Sequence, residues 1–476
     1  MWHDGCTYTI RRWFELRIFC GILYRVSLWT RTGHRRTVTN VRRAVAVVRS
    51  LIVGGWVSVS LSVLMIAPTS FFADYGAHVR PLEEIRALQR LGHRVTVCTY
   101  HNGGDVVGVD TRRTIDIPWR KRIVVGSTKH KFYLDAALLA LVAREIGRVQ
   151  PDVVHGHLHE GALIGHLTRP LHGVPVLFDY QGSLTAEMID HGFLGTHSPL
   201  RRPTAAMERA INRTANVVVT STQHAADLLR GSGDVSGGRV CCVADAVDTA
   251  RFRPDALSAT ERAAMRASLG IRPTDKVVAY LGLLAPYQGT DILLEAAAKT
   301  LREVPEAFFL IMGFPGNERY RVLAERLGIL HRVSLPGQIR YLDAHRYLAL
   351  GDVAVAPKLS ETEGNQKIYN YLAAGLPVVA FDTPSAREIL GDRVPYAQRG
   401  NADSLAAHLT ALLRDPVRQR QQALDGRTQA IRQFSWTRRG VELLRTYERI
   451  LPTEKRGLLD LTPAPAYHVS FAADDD

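Results

Sequence analysis

From residue 61 onward the chain alternates short apolar runs with longer stretches whose apolar positions recur at helical spacing. Leu61 to Pro68 (L-S-V-L-M-I-A-P) reads as a buried strand, and a loop at Gly76 leads into a helix predicted from about Val79 to Leu91, closed by Gly92. Val95 to Cys98 is the next strand. Leu134 to Val149 is a long apolar helix with Pro151 just past it, Val153 to His155 a strand, Gly161 to Leu171 a helix and Val176 to Phe178 a strand. Val217 to Thr220 and Val240 to Val243 complete a first half. The same logic repeats with strands at Lys276 to Leu281, Phe308 to Met312, Val333 to Leu335, Val353 to Ala356 and Val378 to Phe381. Strands that alternate with helices predict parallel sheets, hence an α/β class with two Rossmann-like domains, 61–250 and 251–435. Two polar-faced helices follow. Then Trp436 opens an apolar stripe through Val441, Leu444, Tyr447 and Leu451, and a short tail covers 452–476.

The stretch Gly351 to Asp382 concentrates the chemistry. A strand ends at Pro357, and a polar loop carries Lys358, Glu363, Gly364 and Asn365. Ile368, Tyr371 and Leu372 then recur as a helix that stops at Gly375 and Pro377. Such a loop lies at the carboxyl end of a strand and the amino end of a helix, where open α/β sheets bind ligands and free backbone N–H groups suit an anion. Lys358 and Lys367 bracket it with positive charge, and Glu363 and Asn370 can bond hydroxyls. The loop suits a phosphate bearing a polyhydroxylated group.

Composition changes this picture little. A chain of 476 residues that is 46% hydrophobic can bury two cores. Residues 1–50 hold ten Arg, no Lys and two acids, so +8 of the net +14 sits in that arm. No nucleic-acid motif accompanies the charge, which argues against a nucleic-acid partner. Leu51 to Ala73 is uncharged and long enough to span a bilayer, yet Val63 to Ala67 fits the first strand and Gly54 and Gly55 interrupt the rest. A membrane span, a basic membrane-surface arm over residues 1–60, and a segment the body does not need all remain open. The expected location is cytoplasmic, at most touching the inner membrane face. The five cysteines show no metal spacing, and a reducing compartment is expected.

Two further patterns bear on chemistry. In His155-Gly-His157-Leu-His159-Glu160, residues 155, 157 and 159 share a face at strand period, and a His-x-His pair can bind zinc. No further ligand falls at a convincing place, so no metal is expected and a structural role for any one histidine stays open. No G-x-G-x-x-G follows a strand, so no nicotinamide or flavin cofactor is expected. The Asp-x-Asp of a metal-dependent sugar transferase occurs at Asp474 to Asp476, in the tail.

From about Leu61 to Leu451 the chain resembles the retaining glycosyltransferases of the GT-B type, family 4. Their donor loop has two Glu eight positions apart running into A-x-A-x-G-x-P-V-V-A, and G-L-P-V-V-A stands here at Gly375 to Ala380. Counting back, the second Glu position holds Asn370 and the first Thr362, with Glu363 beside it. L-G-L-L-A-P-Y-Q-G-T-D-I-L-L-E-A is similar to the family's G-R-L-x-x-x-K-G, with Leu283 at the Arg and Gln288 at the Lys position. The Gly76 turn matches the glycine loop beside the donor diphosphate. Gly313 and Gly316 match the next one, and Leu335 to Gly337 the stretch beside the base. P-D-V-V-H-G-H implies that His157 faces donor sugar and acceptor. D-A-V-D-T-A-R-F-R-P at Asp245 to Pro254 resembles the interdomain hinge, and the helix over 436–451 the one that crosses back onto the first domain.

The resemblance implies transfer of a sugar from a nucleotide-sugar donor with retention and without a metal. It implies an acceptor that is lipid-linked or a glycan. Glu363 would hold sugar hydroxyls, Asn370 the ribose, and Lys358 and Lys367 the phosphates. Gly282, Gln288, Gly313, Gly364 and Asn365 would line the donor site. A catalytically silent nucleotide-sugar-binding subunit and a GT-B epimerase or phosphorylase are the alternatives.

Overall fold

The structure is a computed structural model that describes residues 60–457 and Leu459, apart from Tyr75, 117–130, His191, Thr196 and Thr362. The basic arm, the first Glu position at Thr362 and the acidic end of the tail lie outside the described residues. Two parallel sheets carry the fold. The first contains seven strands in the order β3-β2-β1-β4-β5-β6-β7. They are β1 Ser62–Ala67, β2 Arg94–Thr99, β3 Asp110–Arg113, β4 Val153–His157, β5 Val176–Tyr180, β6 Val217–Thr220 and β7 Val240–Cys242. The second has six in the order β10-β9-β8-β11-β12-β13. These are β8 Lys276–Leu281, β9 Ala307–Met312, β10 Val333–Gly337, β11 Val353–Ala356, β12 Val378–Phe381 and β13 Tyr396–Ala397.

Helices cover both faces, so the central strands are apolar throughout instead of alternating. All six residues of β1 are buried, with Val63 level with Val95 on one side and Val153 on the other. β6, β8, β11 and β12 match the sequence expectation to the residue. β3 and β13 were not expected. Both are sheet edges, and β3 (D-T-R-R) is half solvated; pairing with β2 and a 2.8 Å bond from Thr96 Oγ1 to Asp110 Oδ2 hold it. Edge strands carry too little apolar signal to be read from pattern.

Loop ends are fixed by local chemistry. The helix Gln366–Ala373 is followed by Gly375 at φ +71°, where a Cβ would come within 2.7 Å of the Pro254 ring. A glycine there both takes the left-handed turn and lets the hinge close against it. The helix Trp436–Ile450 is capped by Ser435, whose side chain accepts from Arg438 N–H. It returns to the first half: Gly440 lies so close to the helix Gly76–Arg90 that a Cβ would sit 3.0 Å from Ala87 and Leu91. Its apolar stripe through Leu443, Leu444 and Tyr447 is buried, worth about 1.5–3 kcal/mol per large side chain. The hinge meets the chain just before this helix, where Val247 N–H donates to Phe434 C=O at 2.9 Å. Carboxyl ends of β1, β4, β5, β8 and β11 thereby surround one cleft. No helix among the described residues is long and apolar enough to cross a membrane.

Candidate active site

The cleft encloses a cavity of about 310 Å³ between the carboxyl ends of the two sheets. The second half supplies the loops after β8, β9 and β11. The first supplies the turn after β1 with Gly76, the residues after β2, and Gln181 after β5. Of the residues expected at the site, Gly76, Gly282, Gln288, Gly313, Lys358, Glu363, Gly364, Asn365, Lys367 and Asn370 all line this cavity.

Close backbone contacts shape the side of the cavity formed by the second half. A Cβ on Gly313 would lie 1.9 Å from Gly282 C=O, so the loops after β8 and β9 meet only because residue 313 is glycine. A Cβ on Gly364 would lie 3.1 Å from Asp245 Oδ2 and Ser221 Oγ, so the loop after β11 rests against the hinge. The Lys358 amine is buried, 2.6 Å from Glu363 Oε2, and donates to Gly364 C=O at 2.7 Å. The Lys367 amine donates to Gln288 Oε1 at 2.8 Å and stands 4.6 Å over the Tyr280 ring. A Cβ on Gly282 would be 2.9 Å from that amine, so glycine at 282 leaves room for it.

A second cation this close to Lys358 is costly. Burial, and then the Lys358 charge, pull the Lys367 amine down to about 7. Around the lysines, both side-chain polar atoms of Asn365, Nε2 of Gln366 and Oδ1 of Asn370 are buried without a hydrogen-bond partner in the protein. Such amides can pair with a ligand that bears hydroxyls or phosphate oxygens.

Across the cleft, Lys131 is 2.5 Å from Glu160 Oε1. Burial, opposed by Lys131, pushes the Glu187 carboxyl up to about 7. Gln181 bonds Asp179 Oδ2 at 2.9 Å, and Tyr100, His101 and Asn102 complete this wall of the cavity.

The expectation for His157 is corrected. β4 runs two residues further than its apolar pattern suggests, and His155 and His157 share the face that packs inward. His157 Nδ1 is 2.9 Å from Asp179 Oδ2 and the ring stacks on His155 at 4.4 Å, with its side chain 1% exposed. The ring is in the core and not in the cleft. His159 leaves that face altogether, because the helix Leu158–His172 begins directly at the strand end. Its ring packs on Phe178 and Tyr180.

Sequence reasoning also missed Arg80. From the helix Gly76–Arg90 it reaches Asp179 at 2.9 Å, Asp245 at 2.9 Å and Glu84 at 3.1 Å, and borders the cavity. Burial alone would make it easier to deprotonate, but the three carboxylates outweigh that and hold it charged. A lone Arg in V-R-P and a lone Asp in F-D-Y, 99 residues apart, give no pattern to find.

Two family profiles match the chain. "Glycosyl transferases group 1" covers residues 261–429, and "Glycosyl transferase 4-like domain" covers residues 75–245. A D-inositol 3-phosphate glycosyltransferase from Nocardia farcinica is 30% identical over 326 residues, which are 66% of this chain and 70% of that protein. The chain is a group 1 glycosyltransferase. The transferase has the GT-B fold. Sucrose-phosphate synthase from Thermosynechococcus elongatus superposes at TM-score 0.68 with 18% identity, covering 81% of this chain and 98% of that one. HepE from Anabaena, solved in complex with UDP and glucose, superposes at 0.66 with 16% identity, covering 81% and 99%. In this transferase the loop after β11, in the group 1 half, faces the 4-like half across the cavity.

Proposed function

We propose that this transferase moves a sugar from a nucleoside diphosphate sugar to an acceptor hydroxyl with retention of anomeric configuration, and that no metal takes part in the step. The observation that carries this is the pairing, in one cavity, of two lysine amines with buried amides that lack partners. The lysines suit a diphosphate and the amides a sugar and ribose. UDP sugars are the first donors to try, because HepE is a structural neighbour solved with UDP and glucose. Inositol phosphates are the first acceptors, because the Nocardia relative is named for one.

In the step, the acceptor oxygen bonds the anomeric carbon on the side from which the diphosphate departs. The bond from that carbon to the phosphate oxygen breaks, and the acceptor proton passes to that phosphate oxygen. Lys358 and Lys367 stabilise the negative charge that grows there. Glu363 holds sugar hydroxyls and Asn370 the ribose. Gln288 holds the Lys367 amine where the family's own lysine would point, so the charge is supplied from a different residue. Leu283 supplies none.

Leu283 favours a second reading, a silent subunit that binds the donor without turning it over. Both readings begin with donor binding. A nucleotide-sugar panel should raise the unfolding midpoint, by the equivalent of about 2.7 kcal/mol at a hundredfold excess over Kd. Donor consumption by the purified chain then separates them. No shift with any nucleotide sugar would contradict both.

A further inference from the structure

We propose that Glu84, His155 and His157 hold a structural divalent cation of the zinc class in the core of the first half, with Asp179 in its outer shell. Glu84 comes from the helix Gly76–Arg90 and the two histidines from β4. Their ligand atoms and one Asp179 oxygen all lie within 4.8 Å of one another, and all four residues are buried. Both Nε2 atoms face the same carboxylate: Glu84 Oε2 is 3.7 Å from His155 and 4.0 Å from His157. Donors bound at about 2.0–2.1 Å to a tetrahedral zinc stand roughly 3.3 Å apart, so the Glu84 carboxylate has to close on the two imidazoles by about 0.4–0.7 Å and the widest pair of the set by up to about 1.5 Å.

Three independent observations point to a cation. The first is the orphaned atoms. His155 Nε2, His157 Nε2 and Glu84 Oε2 have no hydrogen-bond partner in the protein, although their residues are at most 2% exposed. Native interiors rarely leave three such atoms converging on one point. The second is the orientation of the rings. His155 Nδ1 is 2.7 Å from Tyr447 Oη and His157 Nδ1 is 2.9 Å from Asp179 Oδ2. Metal-bound imidazoles are held in this way, with one nitrogen on an outer-shell oxygen and the other turned to the ion. The third is charge. Arg80 is one guanidinium among three buried carboxylates, Glu84, Asp179 and Asp245. That leaves two formal negative charges, which one divalent cation balances. Two imidazoles and one carboxylate suit zinc among the divalent ions.

The site lies beneath the cleft wall and not in it, so the ion takes no part in sugar transfer. It would tie the first helix, the central strand and, through Tyr447, the returning helix into one unit.

The test uses the full chain, purified without chelator. Elemental analysis should find about one zinc per chain. Chain refolded in EDTA should lose it, and its unfolding midpoint should fall by several degrees and recover with zinc. Refolding with cobalt(II) should give the visible absorption of a tetrahedral ion. Glu84→Gln keeps the shape and should remove the ion. If that variant fails to fold, the stoichiometry and cobalt spectrum of the parent decide. A metal-free parent whose midpoint ignores zinc overturns the proposal and puts a proton on Glu84 instead. Retention of the ion by a folded Glu84→Gln also overturns it.

Discussion

Replacing Lys367 with Met keeps the apolar stem and removes the charge. In the parent, burial and Lys358 lower the amine from its ordinary 10.5 to about 7. Below pH 7 the amine is charged both folded and unfolded, and the fold carries the whole cost of burying it. Above pH 7 the folded chain releases the proton while the unfolded chain keeps it to about 10.4. The unfolded state then binds more protons, so stability rises with pH across that window. Since Lys367 is only half-buried, the cost is on the order of 1–3 kcal/mol. Lys367→Met should therefore be more stable than the parent at pH 6, with the gain fading towards pH 10.

Donor binding should move the opposite way. The diphosphate needs the charged amine, and a charged hydrogen bond is worth roughly 1.5–3 kcal/mol. At pH 6 the variant should bind a UDP sugar about 10- to 150-fold more weakly. Above pH 7 the parent must take up a proton to bind. Its affinity should fall by up to about tenfold per pH unit, and the variant should show no such slope. Calorimetry at pH 6, 7, 8 and 9 in buffers of different ionisation enthalpy reads both affinity and proton uptake. Equal affinity of parent and variant at pH 6, or a parent with no slope, would refute the assignment of Lys367 to the diphosphate.

Glu363→Gln should lower kcat by at least about a hundredfold, the order of one lost preorganised contact, while UDP binding measured by calorimetry stays within a few-fold. Arg80→Met leaves Asp179, Asp245 and Glu84 buried without their guanidinium, and should cost about 3–5 kcal/mol in denaturant unfolding. Gly313→Ala puts a Cβ where Gly282 C=O now lies. It should separate the two glycine loops and weaken UDP binding at least tenfold, with the midpoint as the control for folding.

The buried strands were legible because both faces are covered and their sequences are apolar without interruption, as in V-V-V-T and V-V-A-F. The donor loop was legible because one strand, one polar loop and one helix carry it within 32 residues. His157 was not, because an apolar pattern cannot tell which face of β4 turns inward or how far the strand runs. The Lys367 to Gln288 contact joins residues 79 apart, and in sequence Gln288 shows only as a missing cation. Arg80 was hidden for the same reason: its partners lie on the same helix, the fifth strand and the hinge.

The central claim is retaining transfer from a nucleotide sugar held by Lys358 and Lys367. Proton NMR of the product formed from a UDP sugar tests it most directly, because the anomeric coupling of the new glycosidic linkage, which does not mutarotate, reports its configuration. The account predicts a product of the donor's own anomeric configuration, formed without added metal, and none from the Lys358→Met, Lys367→Met double variant. An inverted product, or equal turnover by the double variant, would contradict it.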